Sequence, residues 1–166
     1  MRRVIIFGNS ASGKSTLAKN FSDTDELAHL DLDTLAWQPT SPPTRRLIAE
    51  SARDIGAFTT ANVNWVIEGC YADLINILLP QASEIIFMDL PVELCISNAR
   101  QRPWEPHKYA SKAAQDANLA MLIDWISQYE ARDDEFSYRS HTSLYENFQR
   151  KKTSYVSNPT TATDLA

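Results

Sequence analysis

The stretch that most constrains this chain is Gly8-Asn9-Ser10-Ala11-Ser12-Gly13-Lys14-Ser15-Thr16, which satisfies the pattern G-x-x-x-x-G-K-[ST] at every fixed position. Val4-Ile5-Ile6-Phe7 precedes it, an apolar, β-branched run that reads as a buried strand, and the STLAKNF segment that begins at Ser15 has helical composition. Strand, glycine turn and helix start form a cradle for a polyphosphate. Glycine at positions 8 and 13 lets the backbone turn and approach closely, so that consecutive N–H groups point inward, and the helix adds its positive end. In that geometry Lys14 reaches the β- and γ-phosphates of a nucleotide and the Ser15 hydroxyl holds Mg²⁺.

The remaining composition narrows the setting. A chain of 166 residues fits one domain with a true core, and 43% hydrophobic with 22% charged residues is ordinary for a soluble globular protein. A net charge of −5 argues against a surface built to grip nucleic acid or an anionic membrane, although a local basic channel stays open. Cys70 and Cys95 are the only cysteines, too few for a disulfide framework, so a reducing, cytoplasmic setting is expected. The apolar run behind Arg2 and Arg3 is too short for a signal peptide, and no window approaches a membrane span.

Along the chain, short apolar runs alternate with helical stretches. Strands are expected at 4–7, 27–31, 65–69 and 84–89, with a last one at 153–156; helices are expected at 45–60 (capped by Thr44), 70–79, 91–100, 111–130 and 142–149. Pro39, Pro42 and Pro43 mark a loop between the second strand and the helix after it. Such alternation indicates a parallel sheet covered on both faces, and ligands gather at the carboxyl ends of its strands. That rule singles out Asp31 and Asp33 after the second strand, Glu68 and Gly69 at the end of the third, and Asp89 at the end of the fourth. His29, His107 and His141 lack any metal-ligand spacing. The four tryptophans read as core or interface residues, with Trp37 placed to line a pocket beyond the Asp-x-Asp turn.

Taken together, GNSASGKST, HLDLDTLAW, WVIEGCY, FMDLP and NARQRPW resemble the small P-loop kinases of the adenylate kinase and shikimate kinase type. The resemblance is strongest to the adenylate-kinase-like group of DNA topology modulation proteins, with their similar LD-x-L-x-W, W-[VI]-I-[DE]-G-x-Y and arginine-rich lid segments, and it runs over about residues 2–156. It implies a three-layer α/β/α P-loop NTPase fold of the nucleoside monophosphate kinase kind. That fold has a five-stranded parallel sheet, a single domain at 1–156, a helical lid at about 100–140 and a flexible tail at 157–166.

The same resemblance implies a reaction and assigns its residues. ATP and Mg²⁺ are the expected cofactors, and the γ-phosphoryl group is expected to pass to a small acceptor: a nucleotide, a nucleoside or a small hydroxylated metabolite. Gly8 to Thr16 and Arg100 would bind the nucleotide; Lys14, Asp33 and Arg102 would be catalytic; Asp33, Glu68 and Gly69 would meet the acceptor; Ser15, Asp31 and Glu68 would hold the metal. Each acidic or basic residue has a plainer alternative. Asp31 or Asp33 can cap the following helix, Asp89 can cap the one after Pro91, Arg100 and Arg102 can be helix-end charges, and Arg45, Arg46, Arg132 and Arg139 can be surface charge. The rival function is an ATP-binding regulator, acting on nucleic acid or another protein, with little or no kinase activity. No Asn-Lys-x-Asp signature supports a guanine-specific switch. Neither the acceptor nor the oligomeric state is written in the residues.

Overall fold

The computed structural model of the chain describes residues 1–160; the last part of the expected tail, 161–166, lies outside the described residues. Five strands, β1 (Arg3–Gly8), β2 (Ala28–Asp31), β3 (Trp65–Gly69), β4 (Glu84–Met88) and β5 (Lys151–Tyr155), form one parallel sheet in the order β2-β3-β1-β4-β5. The α/β architecture read from the alternation is therefore the observed one. β1 lies at the centre, with Ile6 in register with Glu68 on one side and Ile86 on the other. Its apolar residues divide by parity, as the pleat requires. Ile5 and Phe7 pack into one layer with Leu74, Ile75, Leu78 and Leu144, whereas Val4 and Ile6 pack into the opposite layer with Leu17, Phe21, Cys95 and Ile126. A strand buried on both faces needs the unbroken run VIIF, and each such side chain contributes about 1.5–3 kcal/mol by leaving water.

The helices are α1 (Lys14–Asp25), α2 (Asp33–Ala36), α3 (Ile48–Ala61), α4 (Ala72–Leu78), α5 (Val92–Gln101), α6 (Lys112–Ser127) and α7 (Tyr138–Asn147). One boundary departs from expectation for a visible reason. The helix expected from position 45 starts at Ile48, because the proline-containing loop closes on itself first: Gln38 N–H donates to the Thr44 carbonyl at 2.8 Å, and Trp37 and Arg45 form an antiparallel bridge. Thr44 thus serves the loop and caps no helix, its hydroxyl lying 3.2 Å from that of Thr40. β5 starts earlier than expected, at Lys151. It is an edge strand with one neighbour, so its residues stay polar and largely exposed, which hides its start from an apolar-run criterion.

Under the sheet's carboxyl edge lies a buried polar joint. His141, fully buried on α7, has its Nε2 2.9 Å from the Cys70 carbonyl and its Nδ1 2.7 Å from the Tyr129 hydroxyl. Burial disfavours the imidazolium and pushes His141 from 6.5 down to about 4. Between those values the unfolded chain binds a proton that the folded chain refuses, so the contribution of His141 is complete above about pH 6.5 and falls by about 3 kcal/mol as pH drops toward 4. Asp31, whose carboxyl the fold raises to about 6, acts in the opposite direction over the same window, so the His141 loss is read as a difference between proteins. Across urea midpoints measured at steps between pH 7.5 and 4.5, the advantage of the wild type over His141→Gln should shrink as the pH falls, and an advantage that does not change with pH would place the titration elsewhere.

Candidate active site

The phosphate loop leaves β1 at Gly8 and enters α1 at Lys14, with φ of +151° at Gly8 and +92° at Gly13. A side chain at position 8 is excluded twice over, since its Cβ would also sit 2.5 Å from the Met88 carbonyl oxygen. At position 13 a Cβ would meet the Asn158 amide at the same distance. The loop's outward carbonyls are held from two sides: the Asn98 amide donates to Ala11 O at 2.9 Å and the Asn158 amide to Ser12 O at 3.0 Å. The two asparagines are themselves joined at 2.9 Å. Asn9 ties the start of the loop to α6 through the Ile126 carbonyl and accepts from Ser10 N–H. Within the loop the Ser10 and Ser12 N–H groups donate to Asn9, at 2.8 Å to its side chain and 3.3 Å to its carbonyl, which leaves the first turn of α1 to offer N–H groups to an anion. Ser12 Oγ is fully buried and has no partner among the described residues.

Lys14 is buried in the first turn of α1, and its ammonium donates to the Asn9 carbonyl at 2.7 Å, folded back over the loop. Ser15 reaches the other way and donates its hydroxyl to Glu68 at 2.7 Å. Glu68 is buried at the end of β3, with His29 Nε2 3.6 Å from the same carboxylate oxygen. Hydroxyl and carboxylate here are hard oxygen donors that fit Mg²⁺. Among the described residues no three His, Cys, Asp or Glu side chains gather as a metal cage. Such a pair would suit an ion that keeps several waters and takes its other oxygens from phosphate.

Beside Glu68, at the end of the neighbouring strand, stand the two aspartates. Asp31 accepts from the Asp33 N–H at 2.8 Å and so closes the turn into α2, whose N-cap position is Leu32, with no side-chain cap. Burial, then the charges of Glu68 and Asp33, push its carboxyl up to about 6. Asp33 is more open and is gripped from two sides: the Tyr71 hydroxyl donates to one oxygen at 2.5 Å, and the Lys108 ammonium lies 3.4 Å from the other. Trp37 in turn donates its indole N–H to the Tyr71 oxygen at 2.7 Å. Gly69 adjoins this group, but the space beside its Cα is taken by Leu32 and Tyr71.

Between α1, the end of α5 and the segment after β5 lies a cleft of about 870 Å³, lined near the loop by Gly13, Lys14, Ser15 and Thr16 and on the far wall by Asn98, Arg102 and Lys108. Its outer rim is an irregular strap, 102–111, pinned to α6 by Gln115, which accepts from Glu105 N–H and donates to Pro103 O. Within the strap Arg102 pairs with Glu105 at 3.1 Å, and Glu105 lies 3.7 Å from Lys108. Arg102 lines both the cleft and a crevice of about 20 Å³ between α5 and α6, whereas Arg100 lines the crevice alone, with Tyr109, Asp116 and Leu122. Arg132 stacks 3.5 Å above the Trp125 ring, and Asp89 lies where burial and the charge of Glu130 raise its pKa.

No family model and no curated protein matches the sequence. Solved structures match the fold. A gluconokinase from Sinorhizobium meliloti 1021 is 13% identical over 99% of this chain and 87% of that one, with a TM-score of 0.55. A shikimate kinase from Acinetobacter baumannii, solved with shikimate, is 12% identical over 99% and 89%, with a TM-score of 0.52. A sugar kinase from Janibacter sp. HTCC2649 is 15% identical over 94% and 85%, with a TM-score of 0.51. The chain has the P-loop kinase fold.

Sequence reading missed Lys108, Asn98, Asn158 and Tyr71. For Tyr71 a signal existed, since the LD-x-L-x-W and W-[VI]-I-[DE]-G-x-Y segments end on the tryptophan and tyrosine that bond each other here. The two asparagines carry no local signature. Each of their bonds to the loop is worth about 1 kcal/mol, so Asn158→Ala should weaken nucleotide binding roughly fivefold. Titration with a fluorescent ATP analogue measures this. In the Asn98→Ala, Asn158→Ala double variant the losses should be less than additive, because the pair is joined.

Proposed function

We propose that this protein transfers the γ-phosphoryl group of ATP to a hydroxyl group of a small acceptor. One observation carries the reading: Lys14 and Ser15 lie on the floor of an open cleft, and Glu68 and Asp33 line the carboxyl ends of adjoining strands beside it. Gly8 to Thr16 would wrap the phosphates, with Lys14 swinging from the Asn9 carbonyl to the β- and γ-oxygens. Ser15, with Glu68 and in second place Asp31 acting through water, would hold Mg²⁺, whose charge offsets that of the phosphates. Arg102 would face the transferring group from the strap.

At the other end Asp33 would orient the acceptor hydroxyl and take its proton. The acceptor oxygen bonds to the γ-phosphorus as the bond from that phosphorus to the ADP oxygen breaks, and the proton passes through Asp33 to solvent. Tyr71 and Trp37 fix the Asp33 carboxylate in place. Gly69, whose open side Leu32 and Tyr71 fill, would serve the acceptor end by letting those side chains pack against the strand end, and Arg100 would act only if the strap moved. The domain at 1–156, with its lid at about 100–140, would close over both ligands. The narrower likeness to DNA topology modulation proteins rests on the motif segments alone. No helix of the described residues is long and apolar enough to cross a membrane, and two free cysteines suit a reducing cytoplasm.

A coupled ADP-release screen over nucleoside monophosphates, nucleosides and small hydroxylated metabolites tests the proposal. Acceptor-dependent turnover is expected. Lys14→Ala should lower kcat/KM by at least ~10²-fold, and Asp33→Asn by ~10²–10⁴-fold, with unfolding midpoints little changed. A flat response across the panel with ATP still bound would support the ATP-binding regulator instead.

A further inference from the structure

The acceptor's charge class can be read from what the cations around Asp33 are already doing. Arg45 lies closest to the aromatic wall, its guanidinium 4.9 Å from the centre of the Tyr71 ring and 5.4 Å from that of Phe136. Both ends of its fork are taken: one nitrogen is 2.9 Å from Asp73, another 2.6 Å from Glu135. Arg46 is equally committed, to Asp54 at 2.8 Å and to the Leu35 carbonyl at 3.1 Å. Lys108 lies between Asp33 and Glu105. Lys14 and Arg102 belong to the phosphate end. Against these stand Asp31, Asp33 and Glu68, which the strand register and the turn bring together.

A carboxylate or phosphate ester on the acceptor would enter beside these acids, of which Mg²⁺ would offset Glu68 and Asp31 but not Asp33, and would find the forks of Arg45 and Arg46 taken, with Arg102, paired through one nitrogen, at the phosphate end. Bringing like charges together in a partly desolvated site costs more than one shared lysine returns. A hydroxyl-rich neutral molecule meets the opposite situation, since carboxylate oxygens accept well from hydroxyls, and the half-buried Trp37 ring, set edge-to-face on buried Tyr71, adds an apolar surface. We infer that the acceptor carries no carboxylate and no phosphate, and is a polyhydroxylated compound of the sugar, polyol or nucleoside kind. This rests on the phosphotransferase reading.

The test uses matched pairs that differ in the anionic group: glucitol against gluconate, and adenosine against AMP. ADP release with Mg·ATP gives one readout; Trp fluorescence titration with a non-hydrolysable ATP analogue gives a second that needs no chemistry. The uncharged member of at least one pair should be favoured by tenfold or more in kcat/KM or in affinity. Asp31→Asn, which removes one repelling charge, should raise the anionic-to-neutral ratio by roughly tenfold. Preference for the anionic member overturns the inference, as does an unchanged ratio in Asp31→Asn or a panel in which nothing binds. Binding that favours the neutral members without any ADP release supports it while removing the phosphotransferase reading.

Discussion

The site depends on a single close approach. β1 is hydrogen-bonded on both sides, and where it ends the neighbouring Met88 carbonyl stands 2.5 Å from where a Cβ of residue 8 would be. Only glycine ends the strand there, and only with positive φ does the chain turn up and over the sheet edge. Everything after it is placed by that turn. Lys14 comes to the first turn of α1 and Ser15 comes within 2.7 Å of Glu68, which is buried because β3 pairs with β1 in the register that sets Ile6 against it. The loop and the acid beside it are thus two consequences of one parallel pairing.

The acids at the strand ends would be costly if left alone. Burial of Asp31, and then the charge of buried Glu68 opposite it on the β2–β3 ladder, hold the Asp31 carboxyl above the usual range. The chain offsets part of this with a hydroxyl from Ser15, the phenol of Tyr71 and the ammonium of Lys108. Desolvation lowers the pKa of Lys108, and the charges of Asp33, Glu105 and Asp31 more than reverse it. Lys108 also joins the two ends of the site, since Arg102, Glu105, Lys108 and Asp33 form one sequence of charge contacts from the nucleotide cleft to the acceptor end.

Much of this was legible because it is local. The phosphate loop is written in consecutive residues, the buried strands in unbroken apolar runs, and the acids follow from the strand-end rule once the strands are placed. What escaped is what folding brings from far away. Asn158 reaches the loop across 146 residues of chain, and Asn98 across 87, with no pattern that marks an asparagine for that purpose. Lys108 sits in a proline-rich strap without helix or strand, where periodicity says nothing. Arg100 and Arg102 looked equivalent in sequence, yet Arg100 ends the helical face that meets α6 while Arg102 is past the helix and turns to the cleft. The start of α3 was obscured for a related reason: a loop closed by its own backbone bonds leaves Thr44 looking like a cap.

The two walls of the acceptor end differ in how firmly they are built. On one side Arg45 joins the proline loop, Asp73 at the start of α4 and Glu135 in the turn before α7, with three aromatic rings around its guanidinium. Removing either carboxylate would leave a half-satisfied charge among those rings, a change that costs several kcal/mol in buried pairs and less here because the pair is partly exposed. That wall is therefore a fixed surface, and Tyr71 and Trp37 hold Asp33 against it. On the other side, among the described residues, the strap reaches Asp33 by one charge contact, that of Lys108 at 3.4 Å, long enough to part at little cost. On the proposed reading, an acceptor that reaches Asp33 would displace Lys108 and the strap rather than Arg45, so the part of the site that would move is the part that also lines the cleft beside Lys14.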